Sequence, residues 1–226
     1  MRIIRLIISG TCLLLASLVA IPAQAGSSDF AGPYIAVQAS VNAGLLGGHY
    51  TDHEGSVTTG NAGHGFGVVG GAIGFNIPLG HTFFIGIEGA LDGGSANIAR
   101  ADGAFDAADL DVTVSDRETW SIRPGISFSE GSAIFLVFGD TDIDFRCTVG
   151  PTCPSSLSGD TYGIGTVSKF GTSGLYMKTE AGVTDFNEIS ITGLGEKAAS
   201  SSGRGTGKIT ADPNMVYGKL QIGWQF

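Results

Sequence analysis

The closing segment of the chain, 216–226, alternates without a break. Val216, Gly218, Leu220, Ile222, Trp224 and Phe226 form one face, and Tyr217, Lys219, Gln221, Gly223 and Gln225 form the other. A period of two belongs to a strand whose faces meet unlike surroundings, one lipid or core and the other water. The same split recurs in 33–43, 82–92, 118–128 and 174–186: Phe83, Ile85, Ile87 and Leu91 oppose Glu88 and Asp92, for example, and Trp120, Ile122, Ile126 and Phe128 oppose Ser121 and Arg123. Three segments carry it less clearly: glycine-rich 64–77, 132–142 with Ala133 to Phe138 apolar on both faces, and 160–170. Together these predict eight strands of about ten residues, the length a tilted strand needs to cross a bilayer.

The connections run 44–63, 78–81, 93–117, 129–131, 143–159, 171–173 and 187–213, long and short in turn. That order predicts an all-β fold, an eight-stranded antiparallel up-and-down transmembrane β-barrel with short periplasmic turns and four long extracellular loops. A sandwich with Greek-key crossings has no reason to segregate loop lengths. Composition agrees: 42% of residues are hydrophobic, yet past residue 25 no apolar run is long enough for a membrane helix. The 37 glycines follow no Gly-X-Y period, and 13 Phe leave too much apolar surface for disorder. Tyr34, Phe75, Phe83, Phe128, Phe170, Tyr176, Trp224 and Phe226 fall at the short-turn ends of the strands, where they are expected to form an interfacial aromatic girdle.

Residues 1–25 combine Arg2 and Arg5, an apolar stretch from Leu6 to Ile21, and Ala23 and Ala25 flanking Gln24. This is the pattern of a cleaved secretory signal peptide, with Ala23 and Ala25 as the signal-peptidase site. The expected organisation is therefore a leader, 1–25, and one barrel domain, 26–226. Both leader charges are basic and all 21 Asp and Glu lie beyond them, so the exported chain is more acidic than the formal −9 of the whole. Nucleic acid is excluded as a partner, because phosphate recognition needs a basic surface. Cys147 and Cys153 flank Gly150 and Pro151 in an exported chain and are expected to close a small disulfide loop.

By the strand phase, Glu88, Arg123, Lys178, Glu180, Lys219 and Lys169 face inward. Side chains alone fill an eight-stranded barrel, and buried charges must pair or stay hydrated. These residues are therefore expected to form a lumen charge network that plugs the barrel; the alternative is a narrow pore for ions or small solutes lined by the same groups. No cofactor, metal site or catalytic residue is expected. A lipid A-modifying enzyme is the less favoured alternative, since none of His49, His53, His64 and His81 has a Ser at His-x-Ser spacing. His49, His53, Glu54 and His64 read as solvated loop residues. Asp102, Asp106, Asp109, Asp111 and Asp116, opposed by Arg100 and Arg117, form the most acidic loop patch, where weak divalent-cation binding bridging to lipopolysaccharide is the expectation.

Certain stretches carry a resemblance: Phe30-Ala31-Gly32-Pro33-Tyr34-Ile35, Phe84-Ile85-Gly86-Ile87-Glu88-Gly89-Ala90, Lys178-Thr179-Glu180 with Thr184-Asp185-Phe186, and the terminal 218–226. Across 26–226 the chain resembles the small outer-membrane β-barrels of Gram-negative bacteria, of the opacity-protein and outer-membrane-protein-A barrel type, also termed porin family. The resemblance implies residence in the bacterial outer membrane and a role in envelope integrity and surface interaction, such as adhesion to a host or surface ligand, among outer-membrane lipid and lipopolysaccharide. It further implies that Leu220, Ile222, Trp224 and Phe226 are the signal read by the barrel-assembly machinery. A closed barrel has no edge that forces association, so a monomer is expected.

Overall fold

The computed structural model describes residues 26–52, 54–97, 112–147, 153–171, 173–194 and 207–226. Its strands are β1 (Gly32–Thr51), β2 (Val57–Leu79), β3 (Phe83–Asn97), β4 (Val112–Ser129), β5 (Ser132–Cys147), β6 (Ser156–Lys169), β7 (Leu175–Phe186), β8 (Ile189–Leu194) and β9 (Gly207–Gln225). β1 to β7 pair antiparallel in sequence order, β7 and β8 each pair with β9, and β1 also pairs with β9 from Tyr34↔Gln225 to Thr51↔Lys208, which closes the ring. Closure satisfies the backbone N–H and C=O groups within the wall, the condition for a strand structure in hydrocarbon.

β8 adds no ninth stave. It resumes pairing with β9 at Ile189↔Ala211, after β7 leaves off at Asp185↔Asn214. Pro213 stands at the break, and proline has no N–H to give the ladder. Asn187 turns to β6 instead, donating from its N–H to the Ser158 carbonyl at 3.1 Å. The barrel is therefore eight-stranded, β7 and β8 being one stave with a kink.

Side chains alternate between lumen and wall. Val37, Val41, Val69, Ile73, Ile87, Leu91, Ile122, Leu136, Leu220 and Ile222 all point outward and are exposed, an apolar belt around the ring. The ambiguity of β5 resolves into Ala133, Phe135 and Val137 inward and Leu136 and Phe138 outward. Beyond the belt the wall turns acidic: Asp140, Asp142 and Asp144 on β5, Asp160 on β6 and Asp185 on β7 are exposed, with Asp140, Asp160 and Asp185 directly opposite one another across the strands.

Two expectations are corrected. Segment 44–63 is not a long loop. β1 and β2 stay paired to Thr51↔Val57, joined by a tight turn in which Asp52 Oδ1 accepts from the N–H groups of Glu54 (2.9 Å) and Ser56 (2.8 Å). Past the belt the outer face need not be apolar, so the period fades while the strand continues. The other long connections also shorten, β3 reaching Asn97 and β4 starting at Val112. In the aromatic girdle, Phe75, Phe83, Phe170, Trp224 and Phe226 are exposed and Phe128 is half-buried, but Tyr34 and Tyr176 point into the lumen and are buried. The Tyr34 hydroxyl donates to Glu88, and both ring faces lie under the Lys178 ammonium.

The short-turn end is closed by a short 3-10 turn, Ser27–Phe30, that the sequence did not announce. Ser27 donates from N–H to the His81 carbonyl and from Oγ to the Gly80 carbonyl, both at 2.7 Å, and Phe30 stacks on Phe84 at 5.7 Å. Above it, lumen rings lie on glycines of the next stave: Tyr34 over Gly74, Phe84 over Gly125, Phe135 over Gly165 and Tyr176 over Gly223. Odd staves supply the ring and even staves the space, so a narrow tube holds aromatics without splitting its wall. The leader, including Ala23 and Ala25, lies outside the described residues. Gly125→Val, which drives a side chain into Phe84, is expected to destabilise the barrel by about 1–3 kcal/mol, read as an earlier midpoint in urea unfolding from lipid vesicles.

Candidate functional site

The lumen is layered. An apolar cluster at the turn end (Phe30, Phe84, Ala133, Phe135, Val167 and neighbours) and another at the loop end (Leu46, Val114, Ile143, Phe145, Ile191, Met215 and neighbours) sandwich a polar waist. Period two places each waist residue: Glu88 and Asp92 on β3, Arg117, Thr119 and Arg123 on β4, Lys178 and Glu180 on β7, and Lys219 and Gln221 on β9 share the inward phase of their strands and are buried.

Glu88 is the lower hub. One oxygen meets Arg123 Nη2 at 2.7 Å and accepts from Gln221 Nε2 at 2.9 Å; the other accepts from Lys178 Nζ at 3.0 Å and Tyr34 OH at 2.9 Å. Arg123 Nη2 also reaches Glu180 at 2.9 Å, and Glu180 accepts from Tyr217 OH at 2.7 Å with Lys219 Nζ at 3.6 Å. Lys178 lies over the Tyr34 ring at 3.6 Å, a cation–π contact that shares the burden of desolvation. Such a group is favourable only when each charge is met, since removing an ion from water is costly.

A second hub sits above it. Asp92 pairs with Arg117 through Nη2 and through Nε at 2.8 Å, and Arg117 continues to Asn42 Oδ1 at 2.8 Å and Ser40 Oγ at 3.1 Å. The two hubs are joined by Gln221 Nε2 donating to Gln38 Oε1 at 2.7 Å and Gln38 Nε2 donating to Asp92 at 2.6 Å. Gln38 and Gln221 are register partners across β1 and β9, so the network stitches the seam at which the ring closes. On the far wall Thr119, Thr141, Thr161 and Thr184 link hydroxyl to hydroxyl at 3.0, 2.7 and 2.8 Å across β4, β5, β6 and β7.

The sequence had grouped six charges. The structure joins Glu88, Arg123, Lys178, Glu180 and Lys219; Lys169 stands apart at the turn end, donating to the Asp29 carbonyl at 2.6 Å. Asp92 and Arg117 were not assigned to the network, although both keep the phase of Glu88 and Arg123. Arg117 had been placed in a loop because β4 begins earlier than its alternation suggests.

Elsewhere, Cys147 and Cys153 are joined in a disulfide with Cα atoms 6.1 Å apart, packed against the loop-end cluster. Leu220, Ile222, Trp224 and Phe226 project from the outer face of β9, and the Phe226 N–H donates to the Pro33 carbonyl at 3.0 Å. Asp116 lies in β4, whereas His53, Asp102, Asp106, Asp109 and Asp111 lie outside the described residues. Among the described residues no group of three His, Cys, Asp or Glu is placed to hold a metal.

No protein-family model matches the sequence, and no curated protein matches it. Among solved structures the chain is similar to Ail, the attachment invasion locus protein of Yersinia pestis, at 8% identity over 87% of this chain and 99% of that one, with a TM-score of 0.43. It is also similar to the outer membrane protease OmpT of Escherichia coli, at 9% identity over 84% and 97%, TM-score 0.36, and to a Pseudomonas aeruginosa FadL homologue, at 10% over 89% and 96%, TM-score 0.34. Likeness at this level carries no functional conclusion. The eight-stranded up-and-down barrel expected from the strand period and the alternating connections is the architecture the chain adopts.

Glu88→Ala leaves Arg123 and Lys178 facing a hole and is expected to cost about 3–5 kcal/mol. Lys169→Ala, removing a single contact at the rim, should cost far less; equilibrium unfolding of both variants in vesicles checks the contrast.

Proposed function

We propose that the protein is a non-enzymatic, monomeric outer-membrane barrel of a Gram-negative envelope, exported by cleavage after Ala25, that contributes to envelope integrity and holds its loops out for a surface or host ligand. The sealed lumen carries this reading. A continuous polar network crosses the waist and apolar clusters cap it on both sides, so the interior is committed to holding the wall rather than passing solute. The exposed apolar belt supports residence in lipid, and strands that run beyond it support display at a distance from the membrane.

Histidine placement supports a non-catalytic role. His49 and His64 lie towards the loop end of β1 and β2, while His81 sits in the turn after β2 at the opposite end. A Ser–His–acid triad needs its members within hydrogen-bond reach. The reading of Leu220, Ile222, Trp224 and Phe226 as the assembly signal is supported by their shared exposed face on the last strand. Lipopolysaccharide and outer-membrane lipid are the expected neighbours of the belt.

Three measurements test the proposal. Detergent-solubilised membranes should show a heat-modifiable band, with Gly26 as the mature N-terminus by mass spectrometry; a soluble periplasmic product refutes it. Planar bilayers should stay free of steady openings, and stable conductance would replace the sealed barrel with the narrow pore. Deleting Phe226 should lower the membrane-inserted fraction several-fold without altering synthesis.

A further inference from the structure

The outer wall of the barrel is not evenly smooth. On its short-turn half a groove of about 580 Å³ opens from β3 across to β6, walled by Phe83, Ile85, Ile126, Ile134, Leu136 and Ile164, with Pro124 and Gly125 on β4 in its middle. The side chains that line it are all apolar, and its volume is that of a small-molecule site, several hundred Å³.

The groove overlies a fault in the β4–β5 ladder. Pairing runs to Ile122↔Phe138 and resumes at Gly125↔Phe135, so Arg123 and Pro124 are passed over, although on the other side β3 stays paired with both through Gly86↔Arg123 and Ile85↔Pro124. Along an antiparallel strand the N–H and C=O of one residue serve one neighbour, and those of the next residue serve the other. Ser127 donates to the Thr82 carbonyl just before β3, so Gly125 and Arg123 also serve β3, and Pro124 serves β5. Lys169 donates to the Gly131 carbonyl, so Ala133, Phe135 and Val137 serve β6, and Leu136 serves β4. The register sets Leu136 opposite Pro124, which has no N–H to give. The Leu136 carbonyl is therefore left without a ladder donor, the defect for which proline is avoided in central strands.

In hydrocarbon an unmet carbonyl is costly, and this one opens onto the groove. Water fits poorly there, since an ordered water needs roughly two to four polar partners and the apolar groove offers one. A second barrel would bring only its own apolar belt. A diacyl phospholipid brings chains but no donor beside them, because both of the glycerol oxygens next to the chains are esterified. Loss of one chain frees a hydroxyl at that level. Leu136 lies in one row with Ile85, Pro124 and Ile164, a single row inward of the exposed girdle residue Phe83, the depth at which glycerol lies beneath a lipid head group.

We propose that this groove binds a lysophospholipid, its single chain lying against the apolar wall and its free glycerol hydroxyl donating to the Leu136 carbonyl. The proposal rests on the reading of the belt as lipid-facing.

The test uses the mature chain, isotope-labelled at the Leu136 carbonyl and refolded into nanodiscs of diacyl phosphatidylcholine, a host lipid with no hydrogen-bond donor. Lysophosphatidylcholine is titrated in, against the same lysolipid with its hydroxyl capped as a methyl ether. Insertion is read first by heat-modifiable migration: failure to insert refutes residence in lipid and the site with it, whereas an inserted barrel leaves the site to be judged alone. The Leu136 carbonyl resonance should shift saturably with the lysolipid, and the capped analogue should bind roughly tenfold more weakly. Pro124→Ala supplies the missing N–H and should abolish the response while raising the urea midpoint. A resonance that does not move, an equal response to the capped analogue, or unchanged binding by Pro124→Ala each overturns the proposal. Should Pro124→Ala not insert, Ile134→Trp, which fills the groove and leaves the carbonyl unmet, decides instead: undiminished binding refutes it.

Discussion

An eight-stave ring is so narrow that its interior must be filled by its own side chains, and everything else in this barrel follows from how that filling is done. Closure through β1 and β9 removes the free edges but creates a tube in which every inward residue meets those of several strands. At the turn end the solution is steric, a ring from one stave resting on a glycine of the next. In the waist it is electrostatic: Glu88 collects two cations and an amide from β4, β7 and β9, and Asp92 a cation from β4 and an amide from β1, so that both buried carboxylates are met. The Gln38–Gln221 pair ties these hubs across the closing seam. First and last strands are thus held by side chains as well as by backbone.

The consequence for function is division of labour along the axis. The turn end and the waist are knit by rings on glycines and by paired charges, while the loop-end half is an apolar cluster behind a stretch of wall where β2 leaves β3.

Much of this was legible in the sequence because a strand between lipid and a polar lumen must alternate. The final strand and the segments around Glu88, Arg123 and Lys178 alternate cleanly and were placed with their faces correct. The same physics explains the failures. Beyond the apolar belt the outer face of β1 and β2 need not be apolar, while Leu46, Tyr50 and Ala62 turn inward into an apolar cluster, so residues 44–51 and 57–63 lose the polar-in, apolar-out period and read as loop while remaining paired. Arg117 fell on the wrong side of such a fading boundary. Tyr34 and Tyr176 share the girdle's position along the strand but not its direction, which only the phase of their own strands reveals. The Ser27–Phe30 plug has no periodic signal, since its place depends on Phe84 and the β2–β3 turn, remote in sequence.

The carboxylates beyond the belt set a limit on vertical position. Asp140, Asp160 and Asp185 stand side by side on the outer wall, each facing a like charge across the strands. Sinking the barrel by one residue pair would carry this row into hydrocarbon, where a single ionised side chain already costs kilocalories. Rising would strip lipid from Ile87, Ile122 and Leu220 below. The row therefore works as a draught mark, fixing how high above the bilayer the strand extensions ride.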